Sequence, residues 1–151
     1  MTGTYTILIE CTKTITIKFG KRGYSTVAKG YYLYTGSALG KGTVSLEGRV
    51  RRHLRSRKKP KWHVDYLTSK AGCKVKAAIC LISTRRLECL VNRVIAEQLN
   101  TRAILPRLGA TDCKCEAHLV KVRPTLRVRG IIDRLRRSYS RFGDRIVVMK
   151  F

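Results

Sequence analysis

Tyrosine, arginine and histidine side chains cluster in the segment 31–54, and these residue types can hydrolyse a phosphodiester bond. An aromatic strand that ends at Tyr34 turns through Gly36 into a helix that carries Arg49 and His53. A phenol can orient water, a guanidinium can stabilise a pentavalent phosphate, and an imidazole can move a proton. A strand packed on a basic helix without any catalysis explains these residues equally well.

The helix predicted from about Ser45 to Arg57 carries five arginines, and the spacing of its apolar residues shows which of them lie near the buried face. With about 100° of rotation per residue, Leu46, Val50 and Leu54 define a buried stripe, and Arg49 and His53 lie one turn apart on its flank. The other basic residues point to solvent, where they attract a polyanion or simply form a hydrated surface. Those that we expect to contact nucleic acid are Arg51, Arg52, Arg55, Arg57, Lys58, Lys59 and Lys61.

Glu88 is the acidic residue best placed to hold a metal ion. A helix is predicted over 84–99 with Val91 and Ile95 on its core stripe, and Glu88 falls inside the apolar arc. A carboxylate in that position needs a partner, which is either an arginine or a divalent cation beside a phosphate. Glu97 lies outside the arc and is interpreted as a surface residue.

The composition favours a single domain that binds a polyanion. The chain has 151 residues, of which 44% are hydrophobic, so it can bury one core without a metal or disulfides. Its 33 Lys and Arg residues against 9 Asp and Glu residues give a formal net charge of +24, which indicates a nucleic-acid partner. Because the sequence has no apolar run of about 18 residues and no signal-peptide pattern, we expect no membrane association and a cytoplasmic location.

The elements that position the candidate residues follow from the apolar pattern. The segments 5–10 and 14–19 are predicted to be strands that pair as a hairpin. The strand 31–35 directs Tyr34 to one face of a sheet, and the apolar run 73–82 is a further strand.

Six cysteines, at positions 11, 73, 80, 89, 113 and 115, lack the short even spacings of a secreted disulfide framework. Most are expected to be buried small hydrophobes, and disulfides of the kind found in extreme thermophiles are the alternative. Cys113, Cys115 and His118 lie close together, but paired C-x₂-C motifs are missing and there is no obvious fourth ligand. We therefore expect this trio to pack or to border the active site, with zinc as the less favoured interpretation.

Several ordered blocks resemble the GIY-YIG nuclease superfamily. These blocks are Gly3-Thr4-Tyr5 in a first strand, Tyr34-Thr35-Gly36 at the end of a later strand, Arg49 and His53 in the next helix, and Glu88 in a further helix. The blocks 30–39, 52–54, 62–67 and 112–119 are similar to the Uri-type branch, which is sometimes fused to endonuclease III. The resemblance covers roughly residues 3–120.

The resemblance implies an α/β fold of the α+β type, in which helices flank a small antiparallel sheet of three or more strands. It also implies hydrolysis of DNA, in preference to RNA, with one Mg²⁺ or Mn²⁺ bound by Glu88. The scarcity of acidic residues agrees with a single ion. Arg49 would stabilise the transition state, Tyr5 would act as the general base or orient water, and Tyr34 or His53 would assist. Structure-selective or repair-linked cleavage is one form of this activity.

The sequence departs from the superfamily pattern at several positions. Thr4 and Thr35 replace isoleucine, and strand alternation places both on the face opposite the signature tyrosines. The usual late asparagine has no clear counterpart, and Asp112 is the nearest candidate. The residues that the resemblance implies as site-lining are Gly36, His63, Asp65 and Asp112. For Asp65, an N-cap at the start of a helix is an equally supported alternative.

We expect the nuclease-like domain to span residues 1–122 and a basic C-terminal extension, 123–151, to pack on it. The competing hypothesis is a basic module that binds DNA or RNA on the same fold without catalysis. Keeping Glu88 beside a polyanion, when the chain has only nine acidic residues, favours the enzyme.

Overall fold

The computed structural model describes residues 1–110 and 113–151, which form eight strands and four α-helices. The strands are β1 (Gly3–Cys11), β2 (Ile15–Lys18), β3 (Tyr24–Val27), β4 (Gly30–Ala38), β5 (Cys73–Ile82), β6 (Arg102–Ala103), β7 (Leu119–Lys121) and β8 (Ile146–Lys150). The α-helices are α1 (Leu46–Leu54), α2 (His63–Thr68), α3 (Glu88–Leu99) and α4 (Val128–Ser140).

Six of these strands form one antiparallel sheet in the order β6-β7-β4-β1-β5-β8. β1 lies between β4 and β5, and its register places Tyr5 opposite both Gly36 and Cys80. Because helices cover both faces of the sheet, β1 is buried along nearly its whole length, which explains its apolar run Ile7-Leu8-Ile9. The α+β fold class predicted from the sequence is confirmed.

The predicted hairpin between the first two strands is wrong. β2 pairs with β3 in a separate two-stranded antiparallel sheet, with Ile15 opposite Val27 and Lys18 opposite Tyr24. Both edges of β1 are already paired with β4 and β5, so no edge is left for β2. The apolar residues Ile17 and Phe19 still reach the core beside α2.

Side chains alternate between two cores on opposite faces of the sheet. Tyr5 and Tyr34 belong to the core that α1 and α2 cover, whereas Leu8 and Leu33 belong to the core that α3 and α4 cover. We call the side of the sheet that α1 and α2 cover the first face and the side that α3 and α4 cover the second face. Thr6 and Thr35 lie on the second face, where their hydroxyls are 2.8 Å apart. The prediction that Thr35 faces away from the signature tyrosines is therefore confirmed.

The helix α1 differs from its predicted phase. Ser45 caps its N-terminus by accepting a hydrogen bond from the backbone N–H of Gly48 at 3.1 Å. The buried residues are Leu46, Val50 and His53, while Leu54 is 43% exposed. Leu54 is the last residue of α1, and the buried position predicted for it is taken by His53.

The helix α3 begins later than predicted. It starts at Glu88 rather than at residue 84, so Glu88 lies in its first turn. Val91 and Ile95 are fully buried as predicted, and each contributes about 1.5–3 kcal/mol of hydrophobic stabilisation. Asn92 is also buried, because its side-chain amide donates a hydrogen bond to the carbonyl of Ala117 at 2.8 Å.

The segment 123–151 forms α4 and β8, which pack on the second face and on the edge of the main sheet. The Tyr139 hydroxyl of α4 lies 2.8 Å from the hydroxyl of Thr6 in the central strand. β8 pairs with β5 from Ala77 opposite Lys150 to Leu81 opposite Ile146. None of the helices in the described parts of the chain is long and apolar enough to cross a bilayer.

Two of the six cysteines form a disulfide, which is the alternative that the sequence left open. Cys11 and Cys73 are opposite each other in the β1–β5 register, with Cα atoms 4.1 Å apart. Cys80 is free and buried, as predicted for most of the cysteines. Cys89, Cys113 and Cys115 are free and only partly buried.

Candidate active site

A cleft of about 320 Å³ opens at the edge of the main sheet next to the first residue of β7, Leu119. In β4, only Tyr32–Tyr34 pair with β7, so the last part of β4 has β1 on one edge and no strand on the other. At this uncovered edge, side chains from both faces of the sheet can meet. Among the predicted site residues, the cleft is lined by Tyr34, Gly36, Arg49, Lys61, His63 and Glu88.

Glu88 enters the cleft from the second face of the sheet, at the first residue of α3. Its carboxylate accepts a short hydrogen bond from the Ser37 hydroxyl, and its Oε1 atom lies 3.7 Å from Nε of Arg86. The side chain remains 15% exposed, and the N-terminus of a helix stabilises a negative charge. A single accessible carboxylate fits Mg²⁺ or Mn²⁺, which keep several waters and often bind through one or two carboxylates plus substrate phosphate.

Arg49 enters the cleft from the first face, where the neighbouring aromatic residues hold it. Its guanidinium carbon lies 4.6 Å from the ring centroid of Trp62. A planar guanidinium stacks well on an aromatic ring, and it keeps its charge at any physiological pH. The cleft therefore combines a fixed cation with the carboxylate of Glu88.

Tyr5 and His53 lie beneath the cleft rather than in it. The Tyr5 hydroxyl is 2.9 Å from Nε2 of His53, and both side chains are almost completely buried. Burial raises the pKa of Tyr5 well above its usual value, nearby Tyr34 adds to this rise, and Arg49 opposes it. Burial also lowers the pKa of His53 from 6.5 to about 3. Both groups are therefore neutral at physiological pH, which argues against Tyr5 as the general base.

Gly36 allows this arrangement because it leaves space above Tyr5. A Cβ atom at Gly36 would lie 2.9 Å from the Tyr5 hydroxyl oxygen and 3.3 Å from the ring of Tyr34. Such contacts require one of the two tyrosines to move. The glycine in the signature therefore has a steric role in the packing of the two phenols.

Asp65 is buried behind the cleft and does not line it. Its Oδ2 atom accepts hydrogen bonds from Arg52 Nη2 at 2.7 Å and from the backbone N–H groups of Lys61 and Trp62 at 2.8 and 3.0 Å. Burial alone raises the pKa of Asp65, but the hydrogen bonds from Trp62, Lys61 and Arg52 outweigh it, and the pKa is lowered. α2 begins at His63, so Asp65 is its third residue and not its N-cap.

His63 connects α2 to the segment that leads to β7. Its Nδ1 atom accepts a hydrogen bond from the backbone N–H of Gly109 at 2.8 Å. Burial lowers the pKa of His63, and the charge of Arg22 lowers it further. As a neutral group that lines the cleft, His63 can contact a ligand and position the neighbouring backbone.

Three cysteines and one histidine form a second cluster beside the cleft. The ligand atoms of Cys89, Cys113, Cys115 and His118 all lie within 4.8 Å of one another. The sequence showed no obvious fourth ligand for the trio at 113–118, and the structure places the Cys89 thiol beside it, from the first turn of α3. The signal was weak, since Cys89 precedes Cys113 by 24 positions and belongs to no short motif.

The family comparison covers nearly all of the elements described above. A family model described as "Domain of unknown function DUF123" matches residues 4–140. The chain belongs to this family. No curated protein and no solved structure gives a significant match to the chain. The DUF123 match includes every candidate residue of the cleft and of the cysteine cluster, and the family description assigns no function to them.

The basic residues predicted to bind nucleic acid divide into two groups in this DUF123 chain. Five of them are exposed, namely Arg51, Arg55, Arg57, Lys59 and Lys61. The other two have internal partners: Arg52 pairs with Asp65, and the Lys58 ammonium donates to the carbonyls of Arg52, His53 and Arg55 at the end of α1. Arg52 was predicted to point away from the core, but the following loop 55–62 folds back, and the Arg52 guanidinium donates to the carbonyl of Lys59 at 2.8 Å. The remaining site-lining candidate, Asp112, lies outside the described residues.

Proposed function

We propose that this chain is a metal-dependent endonuclease of the GIY-YIG type that hydrolyses DNA phosphodiester bonds. The observation that carries the proposal is the cleft beside the start of β7, where Tyr34 and Arg49 meet Glu88 from the opposite face of the sheet. These are the residue types that the superfamily resemblance assigns to catalysis, and they are far apart in sequence. A chain that only bound phosphate would need the cations but not the carboxylate.

Glu88 would hold one Mg²⁺ or Mn²⁺ in the cleft. Such an ion would polarise the phosphate and stabilise the negative charge that develops on the leaving oxygen. Ser37, which donates to the carboxylate, would keep the Glu88 side chain oriented toward the cleft. The described residues place no second carboxylate on the cleft lining, which supports one ion rather than two.

Arg49 would bind the scissile phosphate and stabilise the pentavalent transition state. Its stacking on Trp62 limits the conformations of the guanidinium before substrate arrives, so less entropy is lost on binding. Tyr34, whose ring lies on the cleft, would orient the attacking water. The neutral Tyr5–His53 pair would act as a positioning pair, because it packs directly against the ring of Tyr34.

The charge of the chain supports a nucleic-acid substrate. The formal net charge is +24, and Lys61 and Arg86 add cations at the cleft itself. Exposed arginines on α1 and in the loop after it extend this basic surface beyond the cleft. Phosphate contacts of this kind give affinity without sequence specificity, so the preference for DNA over RNA in this proposal rests on the superfamily resemblance.

The test is a cleavage assay on duplex, branched and single-stranded DNA, with a matched RNA, in Mg²⁺ or Mn²⁺. Wild type should cleave DNA, and Arg49→Ala should lower the rate by about 100- to 1,000-fold, as for loss of one transition-state donor. Glu88→Gln should abolish cleavage and keep DNA binding, because it removes only the charge that holds the ion.

Glu97→Gln is the matched control, since it makes the same substitution at an exposed position of the same helix and should keep full activity. If wild type binds DNA but cleaves no substrate with either metal, the endonuclease proposal fails. That result would establish the alternative, a non-catalytic basic module, which the high net charge alone would support. Cleavage of the RNA and not the DNA would refute the assigned substrate.

A further inference from the structure

We propose that Cys89, Cys113, Cys115 and His118 bind a structural zinc ion, separate from the ion of the proposed nuclease reaction. Three thiols and an imidazole converge with all four ligand atoms within 4.8 Å. Three sulfur ligands and one nitrogen ligand form a common structural zinc site, and four protein ligands leave no open position for catalysis. The inference therefore goes beyond the endonuclease proposal and does not depend on it.

The distances around His118 match the geometry of such a site. Its Nε2 atom lies 3.4 Å from the Cys113 sulfur and 3.7 Å from the Cys89 sulfur. In a tetrahedral zinc site, bonds of about 2.3 Å to sulfur and about 2.0–2.1 Å to nitrogen place neighbouring sulfur and nitrogen ligands about 3.6 Å apart. The observed separations therefore match those expected around a shared metal ion.

The other nitrogen of His118 is held as metal-binding histidines usually are. Its Nδ1 atom lies 3.0 Å from the backbone carbonyl of Thr35, which can only accept a hydrogen bond. Nδ1 must therefore carry the proton, which leaves the lone pair of Nε2 facing the cysteine sulfurs. Because His118 is also buried, its ring is held in this orientation.

The backbone around the two loop cysteines is fixed by hydrogen bonds from Arg107. Its guanidinium donates to the carbonyl of Cys115 at 2.7 Å and, through a shorter contact, to the carbonyl of Cys113. The backbone N–H of Arg107 donates to the carbonyl of Glu116 at 2.6 Å. These bonds use the carbonyls and leave the thiols of Cys113 and Cys115 turned toward Cys89.

Simple packing and disulfide formation explain the cluster less well. The three cysteines are only partly buried, whereas cysteines with a purely apolar role are normally among the most buried residues. A disulfide needs two thiols, and it gives no role to the third cysteine or to the oriented imidazole. The disulfide of this chain, Cys11–Cys73, lies elsewhere between adjacent strands.

The zinc ion would connect two segments that border the cleft. Cys89 directly follows Glu88 in α3, while Cys113 and His118 line the cleft themselves. Coordination would therefore fix the first turn of α3 relative to the segment before β7 and to Thr35 of β4. The site would thus stabilise the geometry of the cleft without touching the reacting phosphate.

The experiment measures metal in the full chain, purified with a reductant and without chelators. Elemental analysis should find one zinc per chain, and cobalt exchange should give the intense visible bands of a tetrahedral cobalt–thiolate site. Cys89→Ser and Cys115→Ser should lose zinc to a competing chelator much more readily than wild type. Their loss of zinc affinity should exceed the 10- to 100-fold that follows when a hydrogen-bond partner of a metal ligand is removed. Cys80→Ala, which removes a buried thiol outside the cluster, should keep its zinc.

Several outcomes would overturn the zinc site. They are a reduced wild type that binds neither zinc nor cobalt, a preparation that holds iron or copper instead, or a disulfide among Cys89, Cys113 and Cys115. The wild-type measurements decide the question even if a serine variant does not fold. Glu88→Gln should keep its zinc while it loses cleavage, so failure of the zinc site and failure of the nuclease proposal are distinguishable.

Discussion

Replacing Arg52 with alanine should destabilise the fold by about 1.5–3 kcal/mol, because the pair with Asp65 is a charged hydrogen bond that is largely removed from water. The Arg52 Nη2 atom lies 2.7 Å from the Asp65 carboxylate, and the two side chains are 25% and 0% exposed. Two backbone N–H groups still donate to Asp65 in the variant, so the cost stays below that of an unpaired buried carboxylate. The guanidinium also lies 5.1 Å from the Trp62 ring, and that contact is lost too.

The energy of the pair itself can be measured with a double-mutant cycle. Asp65→Asn removes the charge but keeps an oxygen for the backbone donors, and it is combined with Arg52→Ala. Exposed ion pairs couple by about 0.2–1 kcal/mol, and one partner here is wholly buried, so we expect about 1–2 kcal/mol. The assay is urea unfolding of the four proteins with the disulfide intact, analysed at constant m-value.

Arg51→Ala is the matched control for this cycle. Arg51 is the preceding residue of the same helix and is exposed, so its replacement should change the free energy of unfolding by less than about 0.5 kcal/mol. Equal effects of Arg51→Ala and Arg52→Ala would refute the structural role of Arg52. A coupling energy below about 0.3 kcal/mol would refute the strength assigned to the pair.

Two further predictions concern the buried Tyr5–His53 pair. Burial lowers the pKa of His53 from 6.5 to about 3, so as the pH falls the unfolded chain binds a proton at this residue before the folded chain does. The folded state therefore loses stability as the pH falls from 6.5 towards 3. Urea unfolding across this range should show that the free energy of unfolding declines less steeply for His53→Leu than for wild type. Tyr5→Phe leaves Nε2 of His53 without its hydroxyl partner and should cost about 1–3 kcal/mol, while the pH profile of DNA cleavage should keep its shape. Loss of the alkaline part of that profile in Tyr5→Phe would show that Tyr5 does titrate during the reaction.

Local sequence patterns were sufficient to predict several elements of the cleft. Helical periodicity placed Arg49 and His53 on neighbouring turns of α1. Strand alternation placed Thr35 and Tyr34 on different faces of the sheet. Both predictions depend on geometry within one element, where 100° per residue or simple alternation is sufficient. The same approach was wrong for Leu54, because the end of a helix is set by the following chain and not by the apolar period.

Predictions that depend on contacts between distant segments were less successful. The hairpin was wrong because β1 takes two partners from later in the chain, and no local pattern shows that its edges are occupied. The position of Cys89 in the cysteine–histidine cluster was missed for the same reason, since the other members of the cluster lie at residues 113–118. Arg52 was predicted to be a solvated residue, because its partner Asp65 lies 13 positions further along the chain.

The short length of β7 explains how residues on opposite faces of one sheet can share a site. Arg49 and Glu88 are carried by helices on different sides of a layer that elsewhere separates them completely. They meet because β7 begins only at Leu119, opposite Tyr34, so the cleft continues along the edge of β4 that β7 leaves open. His118 lies at that end and is hydrogen-bonded to Thr35 through both its backbone carbonyl and its ring. A metal bound to His118 and Cys89 would therefore hold the start of β7 in place. It would thereby fix the distance between Arg49 and Glu88.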